Sequence, residues 1–201
     1  MAFIGMRHVV GAVITAETAG AEPTYGTSGS GFDIGKAITG NLTINRNTNP
    51  LYADDVIAED DNGINSMDLE LGLDDLLEDV QDKMGLLKKE TAGSPAVTTY
   101  YETSAAAKYI GVGYLRVRRK NGVTKFQAIW IYKILFSRNN ENSQTKGESI
   151  EWNTPTINGR CMGLNINNSN DLRFRKIRVF DTESDANTWL DGLANVNRSG
   201  G

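Results

Sequence analysis

The dipeptide Asn121-Gly122 lies between two long runs of apolar and polar residues and constrains the fold more than any other local feature. Both residues tolerate a positive φ, which a two-residue β-hairpin turn requires. Pairing Lys120 with Val123 sets a register whose further pairs are Val117 with Phe126, Leu115 with Ala128, Gly113 with Trp130 and Gly111 with Tyr132. The reverse face, which includes Tyr114, is too apolar for solvent, so another sheet, a helix or a neighbouring subunit should cover it.

Runs of β-branched and aromatic residues recur along the chain between turn residues, and they predict a mainly β fold. We expect strands over residues 34–44, 51–57, 64–71, 97–103, 109–119, 123–136, 149–153, 157–166 and 172–179, with a strand or an extended arm over 9–14. Residues 15–33 are rich in Gly, Ser, Thr and Ala and predict a loop near the start of the chain.

Two short helices interrupt the strands. Residues 73–85 place one apolar stripe on a helical face, and Gly85 can end that helix; the stripe consists of Leu73, Leu76, Leu77, Val80 and Met84. A second helix begins near Thr182, where Thr-Glu-Ser-Asp resembles a capping box with Asp in place of the usual Glu. Each helix has one stripe to bury, so we expect each to lie against a sheet.

The chain has one histidine, His8, and one cysteine, Cys161. They cannot form an internal disulfide or a structural zinc site, and a Ser-His-Asp triad would have to recruit His8 from near the N terminus. We expect His8 to be a satisfied or exposed polar residue and Cys161 to be a small packed hydrophobe. No apolar run approaches the ~20 residues that span a bilayer.

The formal net charge of −4 hides two oppositely charged parts of the chain. Residues 54–82 hold 12 of the 25 acidic residues and no Lys or Arg. Residues 108–178 hold 14 of the 21 basic residues and four acidic ones. This asymmetry permits head-to-tail contact between copies of the chain, or it reflects solvated faces of a monomer.

Known catalytic and binding motifs are incomplete in this sequence. A glycosidase needs two carboxyl groups at a defined separation with one pKa raised, and abundance of acids alone does not provide this. Asp-Asp-Asn-Gly at 60–63 resembles part of a calcium loop, but Ala58 and Leu69 would stand at the first and last ligand positions. The glycine cluster at 26–31 lacks the spacing of a phosphate loop. We therefore expect no catalytic, metal or cofactor site.

Three segments of the chain resemble the major tail protein of bacteriophages with long non-contractile tails. They are NPLYADDVIAEDDNG at 49–63, SMDLELG at 66–72 leading into LDDLLEDVQDKMG at 73–85, and ESIEWNTPTINGRCMG at 148–163. The resemblance implies a single tail tube domain over residues 1–201, in which two β-sheets pack as a sandwich or flattened barrel with a helix alongside. Its parts would be an N-terminal arm or loop at 1–33, a long inter-subunit loop at 45–63 and a C-terminal helix at 182–196.

The resemblance also implies a structural virion protein and not an enzyme. Six copies would close into a ring, and stacked rings would form a hollow tube that conducts DNA during ejection without sequence-specific binding. Other partners would be the tape-measure protein in the lumen and the tail tip and tail terminator proteins, with no membrane involved. The chain would be made in the host bacterial cytoplasm and reside in the viral tail. Contacts with the neighbouring ring would come from the loop at 45–63, through Tyr52, Asp54, Asp55, Glu59 and Asp60.

Alternation in residues 64–71 places Met67, Leu69 and Leu71 on one face of a strand and Asp68 and Glu70 on the other. We interpret Asp68 and Glu70 as lumen-facing acids, because cations would bind the DNA phosphates and like charge keeps the DNA moving. The alternative is that both acids face the outside of the tube. Two other functions stay open at this point: a tube protein of a contractile tail or secretion machine, and a tail-associated carbohydrate hydrolase.

Overall fold

The computed structural model describes residues 2–47, 50–53, 56–60, 63–138, 154–168 and 171–198. Within these residues the chain is mainly β with two helices, as predicted. The strands are β1 (Ala2–Ala16), β2 (Thr24–Tyr25), β3 (Phe32–Gly35), β4 (Ala37–Arg46), β5 (Pro50–Ala53), β6 (Val56–Asp60), β7 (Ile64–Leu73), β8 (Lys88–Ala92), β9 (Val97–Tyr101), β10 (Ile110–Lys120), β11 (Val123–Arg138), β12 (Thr156–Cys161), β13 (Leu164–Asn165), β14 (Leu172–Arg173) and β15 (Arg175–Phe180). The helices are α1 (Glu78–Met84) and α2 (Glu183–Ala194).

One large sheet curls round the main hydrophobic core. Its hydrogen-bonded order is β2-β1-β10-β11-β12-β7-β4, with β3 also pairing β1 and β15 also pairing β11. Val9 of β1, Val112 of β10 and Leu69 of β7 belong to one buried cluster, so distant strands of the sheet face each other across it. A Cβ on Gly40 of β4 would meet the sulfur of Met6 on β1. The two packed layers that we expected are therefore parts of one continuous sheet.

The hairpin at Asn121-Gly122 forms with the predicted register over most of its length. Both turn residues have positive φ, at 51° and 79°. Lys120 pairs with Val123, and the pairs continue through Val117–Phe126, Leu115–Ala128 and Gly113–Trp130. The predicted pair of Gly111 with Tyr132 is wrong, because Val112 pairs with Ile131 whereas Ile110 pairs with Ile134. A bulge at Tyr132 and Lys133 causes this shift, and the Tyr132 amide donates to the Phe174 carbonyl oxygen at 3.1 Å.

Both faces of the β10–β11 hairpin are covered by the chain itself. On the reverse face, Tyr114 and Ile129 are 0% and 1% exposed and belong to the main core. On the other face, Leu115 and Trp130 join a second core that α2 closes with Leu190. Of the covers we considered for the reverse face, a sheet of the same subunit is the one observed, and that face needs no neighbouring copy.

The first helix is shorter than predicted. Leu73 continues β7, where its amide donates to the Pro155 carbonyl oxygen at 2.9 Å. The Asp74 carboxylate accepts the Lys36 amide, and the Asp75 carboxylate accepts the Leu76 amide, so these acids form a turn before the helix. Leu77 precedes the first helical residue and is 57% exposed. The prediction of a helix from residue 73 with Leu77 on its buried face is therefore wrong.

The second helix begins as predicted. Thr182 is the N-cap, with its hydroxyl oxygen accepting the Asp185 amide at 3.1 Å. The Thr182 hydroxyl in turn lies 2.7 Å from the Asp185 carboxylate, so Asp takes part in the cap in place of Glu. The helix ends at Ala194, and Asn195 follows in the left-handed conformation.

The strands extend further into the expected arm and loop than predicted. Of the strand or extended arm expected over 9–14, the strand is observed: β1 extends over Ala2–Ala16 and pairs with β10, β2 and β3 inside the large sheet, so the arm expected at 1–33 does not include these residues. The loop expected at 45–63 contains the end of β4 and the paired strands β5 and β6, and the single strand expected over 51–57 is divided between those two. The strand expected at 34–44 is broken at Lys36, because the chain there leaves β1 and joins β7. The strand expected at 149–153 lies outside the described residues.

Candidate functional site

The predicted acids Asp68 and Glu70 lie on the outward face of the large sheet. The burial pattern of β7 alternates as predicted, with Met67, Leu69 and Leu71 buried and the two acids exposed. The buried residues pack into the main core, so the strand cannot turn its acids inward without exposing those apolar side chains. The sequence therefore identified both faces of β7 correctly.

Neighbouring strands extend this surface into two rows of outward residues. Hydrogen-bonded register places the first row across β4, β7, β12 and β11 as Asn41, Glu70, Asn158 and Ser137. It places the second row as Thr43, Asp68, Arg160 and Leu135. We call these eight residues the acid face. They line an open concavity of about 470 Å³.

Hydrogen bonds and one cation moderate the charge of the acid face. The Asn45 side-chain amide donates to the Asp68 carboxylate at 2.7 Å and to the Ser66 hydroxyl oxygen at 3.1 Å. Arg160 is the register partner of Asp68 on β12. The face therefore carries two carboxylates and one guanidinium group, and its charge is weakly negative.

The residues predicted to contact a neighbouring ring fall on a separate hairpin. Tyr52 lies in β5, and Glu59 and Asp60 lie in β6, whereas Asp54 and Asp55 lie outside the described residues. β5 and β6 pair with each other and, among the described strands, with no other. We call β5 and β6 the arm hairpin.

The arm hairpin begins where the β4–β7 pair ends. Arg46 pairs with Ile64, and the Asn47 amide donates to the Gly63 carbonyl oxygen at 2.9 Å. The arm hairpin therefore continues the β4–β7 pair, and Asp68 lies four residues beyond Ile64 on β7. The predicted ring-contact residues and the predicted lumen-facing acids thus lie on the same pair of consecutive strand segments, but the ring-contact residues are on the arm hairpin and the acids are on β7.

Cys161 and His8 both lie in structural settings. Burial is the main reason that the pKa of the Cys161 thiol rises to about 12, and the negative charge of Asp68 adds to it. The thiol is therefore protonated at neutral pH and packs in the main core, as predicted. The His8 ring nitrogen Nε2 lies 2.9 Å from the Asp191 carboxylate, so its polar group is satisfied, as predicted.

Sequence reasoning missed the residues that surround Asp68 and Glu70. Asn158 and Arg160 alternate with buried Ile157 and Cys161, which is a readable signal for an outward polar face on β12. The pairing of β12 with β7 joins residues about ninety positions apart, and alternation within each strand does not specify that pairing. The contribution of Asn158 and Arg160 of β12 to the acid face was therefore not predicted.

Comparison with known proteins gives no further assignment: no family model matches the chain, and no curated protein matches it significantly.

In the parts of the chain that the structure describes, no group of three or more His, Cys, Asp or Glu side chains could hold a metal ion. Neither helix of the described residues has the length and apolar character needed to cross a membrane.

Proposed function

We propose that this chain is the tail tube subunit of a bacteriophage with a long non-contractile tail. Copies of it assemble into hexameric rings, and the rings stack into a hollow tube that conducts the genome during ejection. The proposal begins from the resemblance carried by residues 49–63, 66–85 and 148–163. The β-rich fold with a helix on one side of the sheet is compatible with it.

The observation that carries the proposal is the ribbon formed by β4 and β7 with the arm hairpin beyond it. A two-stranded hairpin is at best marginally stable alone in water, so a hairpin without further strand partners favours contact with another molecule. The arm hairpin pairs with no other described strand, and residues 50–61 contain five acids and no base. In the proposed tube this hairpin reaches the neighbouring ring.

The acid face supports the same function through its charge. A surface of cations would replace the counterions of DNA and hold the phosphates, whereas carboxylates do not. Asp68 and Glu70 are exposed and fixed in direction by the buried residues between them. We propose that these two acids face the lumen. The tape-measure protein would occupy the same lumen before ejection, and the tail tip and tail terminator proteins would be further partners in the virion.

Electron microscopy of the concentrated, purified chain tests the proposed function. We expect negatively stained rings with six-fold symmetry, or tubes built from them, together with large species in analytical ultracentrifugation. Monomers at every concentration and ionic strength would contradict the proposal. Turnover of cell-wall polymer by such a monomer would favour the hydrolase alternative instead.

A further inference from the structure

The segment from Leu172 to Phe180, comprising β14 and β15, presents apolar side chains to solvent. Three of the ten large hydrophobic residues that are exposed in the described chain lie in these nine positions. Leu172, Ile177 and Val179 are 55%, 45% and 48% exposed. Among the described strands, β15 pairs only with β11, so its second edge has no strand beside it. Exposed edges with apolar side chains favour association with another chain.

Arginines alternate with these apolar residues along the segment. Lys176 pairs with Glu22 and Lys125 pairs with Asp181, whereas the described carboxylates form no ion pair with Arg173, Arg175 or Arg178. Arg178 instead lies over the ring of Phe180, with 4.9 Å between the guanidinium carbon and the ring centroid. We call residues 172–180 the basic edge. It combines exposed apolar side chains with arginines whose charge the described carboxylates do not neutralise.

A cleft of about 600 Å³ lies next to α1, and its polarity complements the basic edge. Its apolar lining consists of Met6, Val9, Ile34, Ala37, Leu77 and Val80. Leu77 stands at the start of α1 with 57% of its surface exposed. An apolar centre with a polar rim is the usual anatomy of a protein interface.

The rim of this cleft is acidic once its internal ion pairs are considered. Arg7 bonds to Glu183, and Arg198 bonds to Asp33 and Asp191, so these two cations are neutralised within the subunit. The remaining charges of the lining are the cation Lys36 and two exposed carboxylates, Asp74 and Asp75, and Glu78 follows beside the cleft as the first residue of α1. We call this surface the acidic cleft.

We propose that the basic edge of one copy of this chain docks in the acidic cleft of the next copy. Ile177 and Val179 lie on one face of β15 and Arg178 on the other, so the contact would be made edge-on. Ile177 and Val179 would then contact Leu77 and the apolar lining, while Arg178 would reach the carboxylates of the rim. This inference rests on the proposed assembly of copies and names the two surfaces that meet. Both apolar centres leave water, and the opposite charges favour this pairing over contact between two like surfaces.

A second copy is the occupant that the charges favour. The two surfaces lie on different elements and have opposite signs, so a symmetric contact of either surface with itself would bring like charges together. A head-to-tail contact joins unlike surfaces, and it continues from copy to copy as a ring or a helical assembly. This agrees with the separation of acidic and basic residues along the sequence.

A charge-exchange experiment tests the proposed contact. One variant carries R173E and R178E, a second carries D75R and E78R, and a third carries all four substitutions. Arg175 is left in place because its positive charge opposes the burial that raises the pKa of the Tyr114 hydroxyl. The matched control reverses two exposed lysines outside both surfaces, K88E and K120E. Circular dichroism and thermal unfolding establish that each variant folds.

Self-association is measured by analytical ultracentrifugation at low and high salt, with electron microscopy of the same samples. We expect each double variant to weaken association by about tenfold or more, and the variant with all four substitutions to recover most of the lost association. L77S should also weaken association, without a matching loss of thermal stability. Wild-type association should fall as salt screens the charges.

The outcomes separate this contact from the proposed tube. Rings or tubes that form equally well in all variants would overturn the contact and leave the tube function in place. Salt-dependent oligomers that are neither rings nor tubes, and that the exchange disrupts and restores, would support the contact and contradict the tube. A loss of association in the control as large as in the two charge-reversed pairs would also overturn it.

Discussion

The indole ring of Trp130 lies against Gly113 on the neighbouring strand, and a Cβ on that glycine would come within 2.8 Å of the ring's Cε3 atom. Leu190 of α2 approaches the same point, at 2.9 Å from its Cδ2 atom. On the other side of the ring, the Trp130 indole nitrogen donates to the Tyr25 hydroxyl oxygen at 3.0 Å, and the Tyr25 hydroxyl donates to the Tyr132 carbonyl oxygen at 2.8 Å. The second core is therefore built around a tryptophan fixed from both sides.

Replacing Gly113 by alanine should destabilise the subunit by about 1–3 kcal/mol, because the added methyl group overpacks the second core. Chemical denaturation followed by tryptophan fluorescence measures the change. Gly192→Ala is the matched control, since apart from its chain neighbours and the backbone of its own helix no atom lies within 4 Å of the added Cβ, and alanine favours a helix. Equal stability of Gly113→Ala and the parent chain would show that the ring can move away.

Asp79→Asn should loosen the hairpin of β8 and β9. The Asp79 carboxylate accepts hydrogen bonds from the Lys89 ammonium at 2.7 Å and the Tyr100 hydroxyl at 2.8 Å, which join the hairpin to α1. Hydrogen exchange of amides in residues 88–101 should accelerate in this variant. Glu90→Gln is the control, because it removes an ion pair with Lys88 inside the hairpin only. Equal exchange in the two variants would contradict the role of Asp79.

The same contact predicts a pH dependence. Hydrogen bonds from Lys89 and Tyr100 hold the pKa of Asp79 below its usual value. The charged carboxylate therefore favours the docked hairpin at pH values above the ordinary aspartate pKa of about 4. Docking should be lost as the pH falls through the lowered pKa, and the NMR signals of Tyr100 would report it. A signal that is constant down to the point of global unfolding would contradict this.

The thiol of Cys161 should resist alkylation in the folded subunit. Burial raises its pKa to about 12, so the reactive thiolate is much scarcer near neutral pH than in an exposed cysteine. Mass spectrometry after a pulse of iodoacetamide measures the rate. The denatured chain provides the control and should react at the ordinary rate. A native rate close to that of the denatured chain would show that the main core opens readily.

The acid face predicts an effect on DNA passage. Phage particles whose tubes carry D68K and E70K should eject their genome more slowly, because the added cations bind phosphates. The subunit should still fold, since both side chains are exposed. D68N with E70Q is the control that removes charge without adding cations. Unchanged ejection kinetics in particles with lysines at both positions would remove the lumen assignment.

Deleting residues 52–60 tests the arm hairpin. The remaining subunit should fold, because β4 and β7 pair up to Arg46 and Ile64 without help from β5 or β6. It should not lengthen into tubes under the microscope, since the proposed contact with the next ring is lost. Tubes of normal length from the shortened chain would contradict the role of the arm hairpin.

The features that the sequence predicted correctly depend on neighbours along the chain. Asn121-Gly122 determines a turn and a register, Thr182 begins a helix, and alternation in β7 separates Leu69 from Asp68. These signals act over a few residues, where φ preferences and side-chain period are decisive. The outward direction of Asp68 and Glu70 was predictable for the same reason.

The features that the sequence did not reveal depend on distant partners. The bond from Leu73 to Pro155 extends β7 at the expense of the predicted helix, and the bond from Tyr132 to Phe174 accompanies the bulge in β11. Arg160 reaches the acid face only through the pairing of β12 with β7. Local pattern carries no information about such partners, so the helix boundary, the bulge and the full site required the structure.

The bulge at Tyr132 and Lys133 has a consequence for how sequences related to this one can vary in length. On β11, Ile129 and Ile131 enter the main core before the bulge, and Ile134 and Phe136 enter it afterwards. Odd-numbered residues of β11 face the main core before the bulge, and even-numbered residues face it after the bulge. Both halves of the strand therefore contribute side chains to the same core, although β15 pairs with the first half and β12 with the second. A homologue that lost one residue here would turn the core side chains of half of the strand, such as Ile134 and Phe136, toward the outer face. The turn at Asn121-Gly122, by contrast, could accept extra residues at little cost.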